Sequence, residues 1–269
     1  MSLIVTVTTG EGVVMASDSR CTYTRTEKTN DGNQIVNIGT LLTDTTYKTF
    51  LCGGVVGIST CGAASVCKKS IASHIEEFIN NVYNKNDTLG KVALKLKTYF
   101  ETMPHSDCVR FHVAGYEKKG EQDCARVYEV LTNPAEVKLL SDGVCGANWA
   151  GVAGVLTRLI KNGYTVPEGS ELWPQEVSAK FDTPDGEKQI TFGDEKILIP
   201  RSSVLNAEMH VDWDLLTLQD GIDFAKYAIT TTIETMRFQS VPKTVGGPID
   251  ILVLKPGTSK WIAHKELHP

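Results

Sequence analysis

LIVTVTT (Leu3–Thr9) is a β-branched run, and Gly10, Glu11 and Gly12 separate it from VVMAS (Val13–Ser17). That pattern predicts strand, glycine turn, strand. Arg20 to Thr46 is polar and holds Asn30–Asp31–Gly32–Asn33, a second turn signal between extendable segments. TYKTFLC (Thr46–Cys52) and GVVGIST (Gly54–Thr60) predict a buried strand pair around Gly53–Gly54. The period then changes. Ile71, Ile75, Phe78, Ile79 and Val82 recur at helical spacing, predicting a helix with Gly62 to Ser65 at its start. A second helix follows an Asp87/Thr88 cap, with Leu89, Val92, Leu96, Tyr99, Phe100 and Met103 on one face, and stops at Pro104. VRFHVAGYE (Val109–Glu117), ARVYEVLT (Ala125–Thr132) and EVKLLS (Glu136–Ser141) predict three strands, and a third helix spans about Trp149 to Lys161. Gly163 to Leu216 carries Pro167, Pro174, Pro184 and Pro200 and reads as an insertion with short strands, not as an independent folding unit. A fourth helix, Gln219 to Phe238 after Thr217, turns Ile222, Ala225, Ile229, Ile233 and Met236 inward. PIDILVLKPG and SKWIAHKEL close the chain as two strands joined at Pro256–Gly257. This order predicts an α+β fold in which two sheets lie between two helix layers.

The 269 residues fit one large domain carrying that insertion. With 41% hydrophobic and 22% charged residues the chain is of globular type. Its net charge of −5 leaves no electrostatic footprint for nucleic acid. The longest apolar stretches, such as WAGVAGVL (Trp149–Leu156), are far short of a membrane span. The N-terminus shows no basic flank followed by an apolar core, so the expectation is a soluble, cytoplasmic protein. Seven cysteines (Cys21, Cys52, Cys61, Cys67, Cys108, Cys124, Cys145) are an odd set without zinc-site spacing. They read as reduced thiols packed as small hydrophobes.

Particular residues sharpen this picture. GVVMASDSR (Gly12–Arg20), TYKTF, GISTCGAAS (Gly57–Ser65) and VGGPIDILVL (Val245–Leu254) together resemble proteasome β-subunits and their bacterial relatives, a family of N-terminal nucleophile hydrolases. The resemblance covers about Ser2–Lys161 and Gln219–Ile262. It implies a four-layer αββα sandwich with the 163–216 insertion between the third and fourth helices. Placed on the family pattern by Asp18–Ser19–Arg20, Ser2 stands at the nucleophile position, and removal of Met1 would expose it. A free α-amine, of reference pKa about 7.7–8.0, is then a base on the same residue as the hydroxyl. Lys48 matches the family's catalytic lysine and Asp18 the acid that orients it. The backbone N–H groups at Cys61–Gly62, where the strand is expected to turn into a helix, match the oxyanion hole. The resemblance further implies a peptide or small amide substrate, no cofactor and no metal. It also implies a ring-type homo-oligomer and admits an unfoldase partner, with neither nucleic acid nor membrane as a partner.

The chain also departs from the family pattern. Serine replaces threonine at the nucleophile, which frees its χ1. Gly146–Ala147–Asn148 stands where the family has Gly-Ser-Gly, and RFQSVPKTVGGP (Arg237–Pro248) lacks the family's aspartate, leaving Ser240 or Thr244 to replace a serine only. The gap from Asp18 to Lys48 is lengthened by an extended hairpin. A catalytically degenerate scaffold or binding subunit is therefore the alternative reading, and a ligase using the same acyl-enzyme is a third. Bland readings stand beside each residue: Lys48 as a surface lysine at a strand end, Asp18 as a turn residue, His74 as surface and His112 as core. Thr8 and Thr9 could act as nucleophiles only after cleavage inside the first strand. His210, Asp212 and Asp214 share one side of a strand if that segment is extended, the pattern of a metal site. Asn86–Asp87–Thr88 fits a sequon but serves as a helix cap.

Overall fold

A computed structural model of the chain describes residues 2–28, 34–104, 107–160, 171–172, 177–183, 186–192, 197–198 and 211–266. The chain divides into a larger unit, Met1–Val155 with Val211–Pro269, and a smaller one, Leu156–His210.

The larger unit opens with β1 (Leu3–Thr9) and β2 (Gly12–Ser17), both buried along their whole length. β-Branched side chains suit a strand that fills core on both faces. β3 (Cys21–Lys28) and β4 (Gln34–Thr43) pair as a two-stranded arm. The turn expected at Asn30–Asn33 lies outside the described residues. β5 (Thr49–Cys52) and β6 (Val56–Gly62) are the pair expected around Gly53 and Gly54. A short hairpin of β7 (Ser65–Val66) and β8 (Lys69–Ser70) then precedes α1 (Ile71–Asn81). This corrects the expected helix start at Gly62 to Ser65. Gly62 has φ of +108°, and Cys67 and Lys68 have φ of +48° and +63°, so none of the three is helical. The helix begins where the Ser70 hydroxyl accepts the Ser73 N–H.

α2 (Leu89–Glu101) starts at Thr88, whose hydroxyl accepts from Lys91 N–H. β9 (Val109–Lys119), β10 (Gln122–Thr132) and β11 (Ala135–Asp142) are the three expected strands. Trp149, expected to open the third helix, belongs instead to β12 (Gly146–Gly151). β12 pairs with β1 from Thr8↔Gly146 to Leu3↔Gly151, and that ladder satisfies its backbone. α3 is correspondingly shorter, Gly154–Ile160. In the smaller unit β13 (Glu171–Leu172) and β14 (Val177–Thr183) precede β15 (Gly186–Phe192) and β16 (Ile197–Leu198), pairing as β13 with β16 and β14 with β15. The larger unit resumes with a 3-10 turn (Trp213–Leu215) and α4 (Leu218–Arg237). Thr217 and Asp220 close a reciprocal capping box at the start of α4. β17 (Asp250–Lys255) and β18 (Thr258–Ala263) end the described chain.

These strands make two antiparallel five-stranded sheets, ordered β12-β1-β2-β17-β18 and β11-β10-β9-β6-β5, and four α-helices occur among the described residues. β1 and β2 carry α4 on one face, and Gly221 lets that helix approach Thr9, Val14 and Val7. α2 lies on β9, β10 and β11. α1 and α2 bury Ile75, Phe78, Val92, Leu96 and Phe100 against Phe50, Ile58, Phe111 and Val113. Between the sheets, Val13, Met15, Leu252 and Leu254 meet Ala114, Ala125 and Val127. Gly57 is small because Met15 Sδ lies only 2.3 Å from where its Cβ would stand. No described helix is long and apolar enough to cross a membrane.

Candidate functional site

Ser2 stands immediately before the interior strand β1. Its carbonyl accepts from Val152 N–H at 2.8 Å, and the next residue, Leu3, donates its N–H to Asp18 Oδ1 at 3.0 Å. Gly151, with φ of +98°, lies against Ser2: a Cβ there would stand 1.9 Å from the Ser2 carbonyl oxygen. Ser2 is therefore clamped between the end of β12 and the end of β2.

Asp18, one residue past β2, is fully buried, yet its carboxylate is well supplied with donors. Oδ1 accepts from Leu3 N–H and from the Lys48 ammonium at 2.9 Å; Oδ2 accepts from Arg20 N–H and Gly246 N–H, each at 3.1 Å. Such a set offsets the desolvation of a buried carboxylate. Lys48, just before β5, is itself 4% exposed. It donates to Asp18 and to the Arg20 carbonyl at 2.6 Å, and among the described residues its third N–H has no partner. Burial pulls its pKa below the ordinary 10.5, opposed by the neighbouring Asp18 charge. Lys48 is not a surface lysine, and Asp18, which accepts the Arg20 N–H as a turn residue would, also joins three separate chain segments.

Ser2, Lys48, Cys61 and Gly62 line one cleft of about 430 Å³, counting its open mouth. Asp18 stands outside that lining, behind Lys48. Gly62 must be glycine, because a Cβ on this positive-φ residue would stand 2.5 Å from the Cys108 carbonyl oxygen. The Cys61 side chain packs with Ile4 and Ala150, and burial pushes its thiol up to about 12. It is a protonated core group, so only its backbone bears on the chemistry. The helix expected directly after Cys61–Gly62 is displaced by the β7–β8 hairpin, yet Ser70, Ile71 and Ala72 at the start of α1 line the same cleft. A helix N-terminus therefore faces it from a different point in the chain.

Residues not singled out from the sequence complete the walls. Arg20 holds Asp44 in a two-point ion pair, Nε to Oδ1 at 2.7 Å and Nη2 to Oδ2 at 2.8 Å. That pair joins the residues flanking the β3–β4 arm, and the Arg20 guanidinium holds the Asp44 carboxyl below its usual range. Gly246 and Gly247 are needed beside it: a Cβ on Gly246 would stand 2.5 Å from Arg20 Cζ, and one on Gly247 2.8 Å from the Asp44 carbonyl oxygen. Thr22 and Thr60 belong to the cleft wall, and their hydroxyl oxygens are buried without a partner among the described residues. Alternation along β6 could have separated Thr60 from Ser59 and Cys61, which face the other sheet. Nothing in the sequence alone marks Arg20 for Asp44.

Other expectations land elsewhere. Ala147 and Asn148 lie in β12, paired with Val7 and Thr6. Ser240 is exposed, whereas Thr244 is buried with a hydroxyl that has no partner among the described residues, and neither lines the cleft. His74 is buried, not at the surface: its ring meets the Val66 carbonyl at 3.0 Å and the Tyr99 hydroxyl at 3.3 Å. His112 is core, bonded to the Thr6 hydroxyl at 2.9 Å. Of the seven free cysteines, Cys52 and Cys61 are buried, Cys21, Cys124 and Cys145 are partly buried, and Cys67 and Cys108 are exposed, so small-hydrophobe packing fails for the last two. Asp212 and Asp214 fall at a 3-10 turn and not on a strand, and His210 and Met1 lie outside the described residues. Among the described residues no cluster of His, Cys, Asp and Glu could hold a metal ion. Compared with known proteins, no family model matches the chain and no curated protein matches it.

Proposed function

We propose that the chain is an N-terminal nucleophile hydrolase of the proteasome β-like class, built as a four-layer αββα sandwich and cleaving a peptide or small amide bond through Ser2. One observation carries the reading. Asp18 Oδ1 is shared by the Leu3 N–H and the Lys48 ammonium, which ties the residue after the nucleophile and the cation to one buried oxygen beside the cleft.

Removing whatever precedes Ser2 frees its α-amine as the base. The amine takes the hydroxyl proton as Ser2 Oγ bonds to the substrate carbonyl carbon. The Lys48 ammonium, with an N–H not used by Asp18 or Arg20, stabilises the oxygen as it loses that proton. The carbonyl oxygen gains its negative charge near Gly62 and the start of α1, where backbone donors and the helix dipole favour it. The protonated amine then gives its proton to the leaving nitrogen as the C–N bond breaks. Water, deprotonated by the same amine, opens the ester and returns Ser2 to its starting state. The same class carries the expectation of a homo-oligomer, which the solution mass of the purified protein tests.

A second reading, a non-catalytic scaffold of the same fold, draws on the 6% exposure of Ser2. The two separate on Ser2→Ala and Ser2→Thr. The hydrolase reading expects the alanine variant to lose amide and ester cleavage while keeping fold and assembly, and the threonine variant to retain it. Unchanged turnover in Ser2→Ala removes Ser2 from the mechanism.

A further inference from the structure

Lys48 rides on a segment without regular structure. Thr46, Tyr47 and Lys48 belong to no strand or helix. Their backbone is tied by Thr46 N–H, which donates to the Ser19 carbonyl at 3.1 Å, and by the Lys48 carbonyl, which accepts Thr60 N–H at 2.8 Å. Tyr47 adds a side-chain tie. It belongs to the cleft wall, and its hydroxyl donates to the Lys265 carbonyl at 3.1 Å. The Lys265 ammonium lies 4.7 Å from the centroid of the Tyr47 ring, within reach of a cation–π contact, and the His264 ring lies at 5.2 Å. His264 in turn stacks on Trp261 at 4.0 Å.

Lys265, two residues past β18, is itself pinned. Asp250, fully buried at the start of β17, accepts the Lys265 backbone N–H at 3.0 Å and the Lys265 ammonium, on a side chain 8% exposed. A buried carboxylate needs such donors. Asp250 pairs in register with Ser17, the residue before Asp18. Two buried lysine–aspartate pairs therefore stand on neighbouring strands, and Tyr47 links them: it precedes Lys48 in the chain and touches Lys265. The two ammonium groups repel, and the Lys265 charge favours a neutral Lys48. Asp18 after β2, Cys21 of β3, Asp44 after β4 with its Arg20 partner, and Cys61 of β6 are the other charged and titratable groups around Lys48. Ser2, whose amine titrates once freed, shares the cleft.

Resting on the reading of Lys48 as the cation beside the Ser2 nucleophile, we propose that Lys265 is a positioning residue: held by Asp250, it fastens Tyr47 and thereby fixes where the Lys48 ammonium stands in the cleft. Lys265 is not part of the cleft wall and acts through Tyr47 and through its charge.

The test compares full-length Lys265→Met, Tyr47→Phe and Asp250→Asn/Lys265→Met with the parent. The Lys48 side chain is titrated by NMR, and the rate of adduct formation with a peptide epoxyketone is followed against reagent concentration. Lys265→Met should move the Lys48 titration upward in pH by about 1. It should also cut the saturating rate by roughly tenfold to a hundredfold at unchanged half-saturating concentration. Tyr47→Phe, which loses only the hydroxyl tie, should lower the saturating rate in the same way by a smaller factor. The double variant strands no buried carboxylate, so it remains folded where Lys265→Met does not, and it should keep the loss of rate. A Lys48 titration unmoved in both Lys265 variants overturns the proposal. So does a double variant with the parent's saturating rate, which makes the Asp250–Lys265 pair a matter of stability alone. A shifted Lys48 titration in a protein that begins at Ser2 and takes up no adduct overturns the hydrolase reading and leaves the Lys265–Lys48 coupling standing. Adduct formation with an unmoved Lys48 titration does the reverse.

Discussion

Asp18→Asn tests the centre of the site, because one carboxylate there holds four donors from four places in the chain. The substitution keeps the shape and removes the charge. The Lys48 ammonium, 5% exposed at its side chain, then has no counterion, and the amide NH2 is turned toward N–H groups of Leu3, Arg20 or Gly246. Breaking one side of a buried, hydrogen-bonded ion pair costs about 3–5 kcal/mol. That is a large part of a typical domain's stability of roughly 5–15 kcal/mol. Urea unfolding followed by circular dichroism measures it as a lower midpoint at unchanged slope. Lys48→Met removes the stranded cation, so Asp18→Asn/Lys48→Met should lose less than the two single changes added together, by about 1–3 kcal/mol. Amide exchange should accelerate at Leu3, Arg20 and Gly246 in the single Asp18 variant. An Asp18→Asn protein within about 1 kcal/mol of the parent, or strictly additive changes, would mean that Asp18 and Lys48 are not coupled as a buried ion pair.

Gly151→Ala places a Cβ 1.9 Å from the Ser2 carbonyl oxygen on a residue with φ of +98°. It should destabilise by about 3 kcal/mol or more in thermal unfolding, whereas Gly146→Ala in the same strand, with nothing within 4 Å, should be near neutral. Burial pushes His112 down to about 3 from an ordinary 6.5, so it is neutral in the fold and protonates first when the chain unfolds. Between these values the unfolded state binds the extra proton, so stability rises with pH there. It is fully present above about 6.5 and falls by roughly 3–5 kcal/mol as pH drops toward 3, a slope that His112→Gln should flatten in urea titrations. Cys52 and Cys61, buried and pushed up to about 12, should resist iodoacetamide at pH 8, while exposed Cys67 and Cys108 react, as peptide mass mapping will show.

The strands and helices with strong periodicity are legible in the sequence because burial itself writes the period. β1 and β2 are buried throughout, and α2 and α4 start at threonines whose hydroxyls cap them. The β7–β8 hairpin is not legible, since its turn uses Cys67 and Lys68 at positive φ where glycine or asparagine would announce it. Trp149 is drawn into β12 by its pairing with Val5, a long-range partner that helical spacing cannot register. Ser2, Lys48, Cys61 and Gly62 are brought to one cleft with Asp18 behind it, and that grouping follows from motif register. Arg20–Asp44, the Gly151 contact and the unpaired hydroxyls of Thr22 and Thr60 depend on distances between segments far apart in the chain, which local pattern does not carry.

Intact-mass spectrometry before and after exposure to a peptide epoxyketone decides whether Ser2 is an N-terminal nucleophile, because that reagent closes its ring only on a hydroxyl and a free α-amine of one residue. The expected result is a chain beginning at Ser2 that gains one adduct on that residue, with no adduct on Ser2→Ala. A folded protein whose N-terminus is shown to be Ser2 and which takes up no adduct contradicts it.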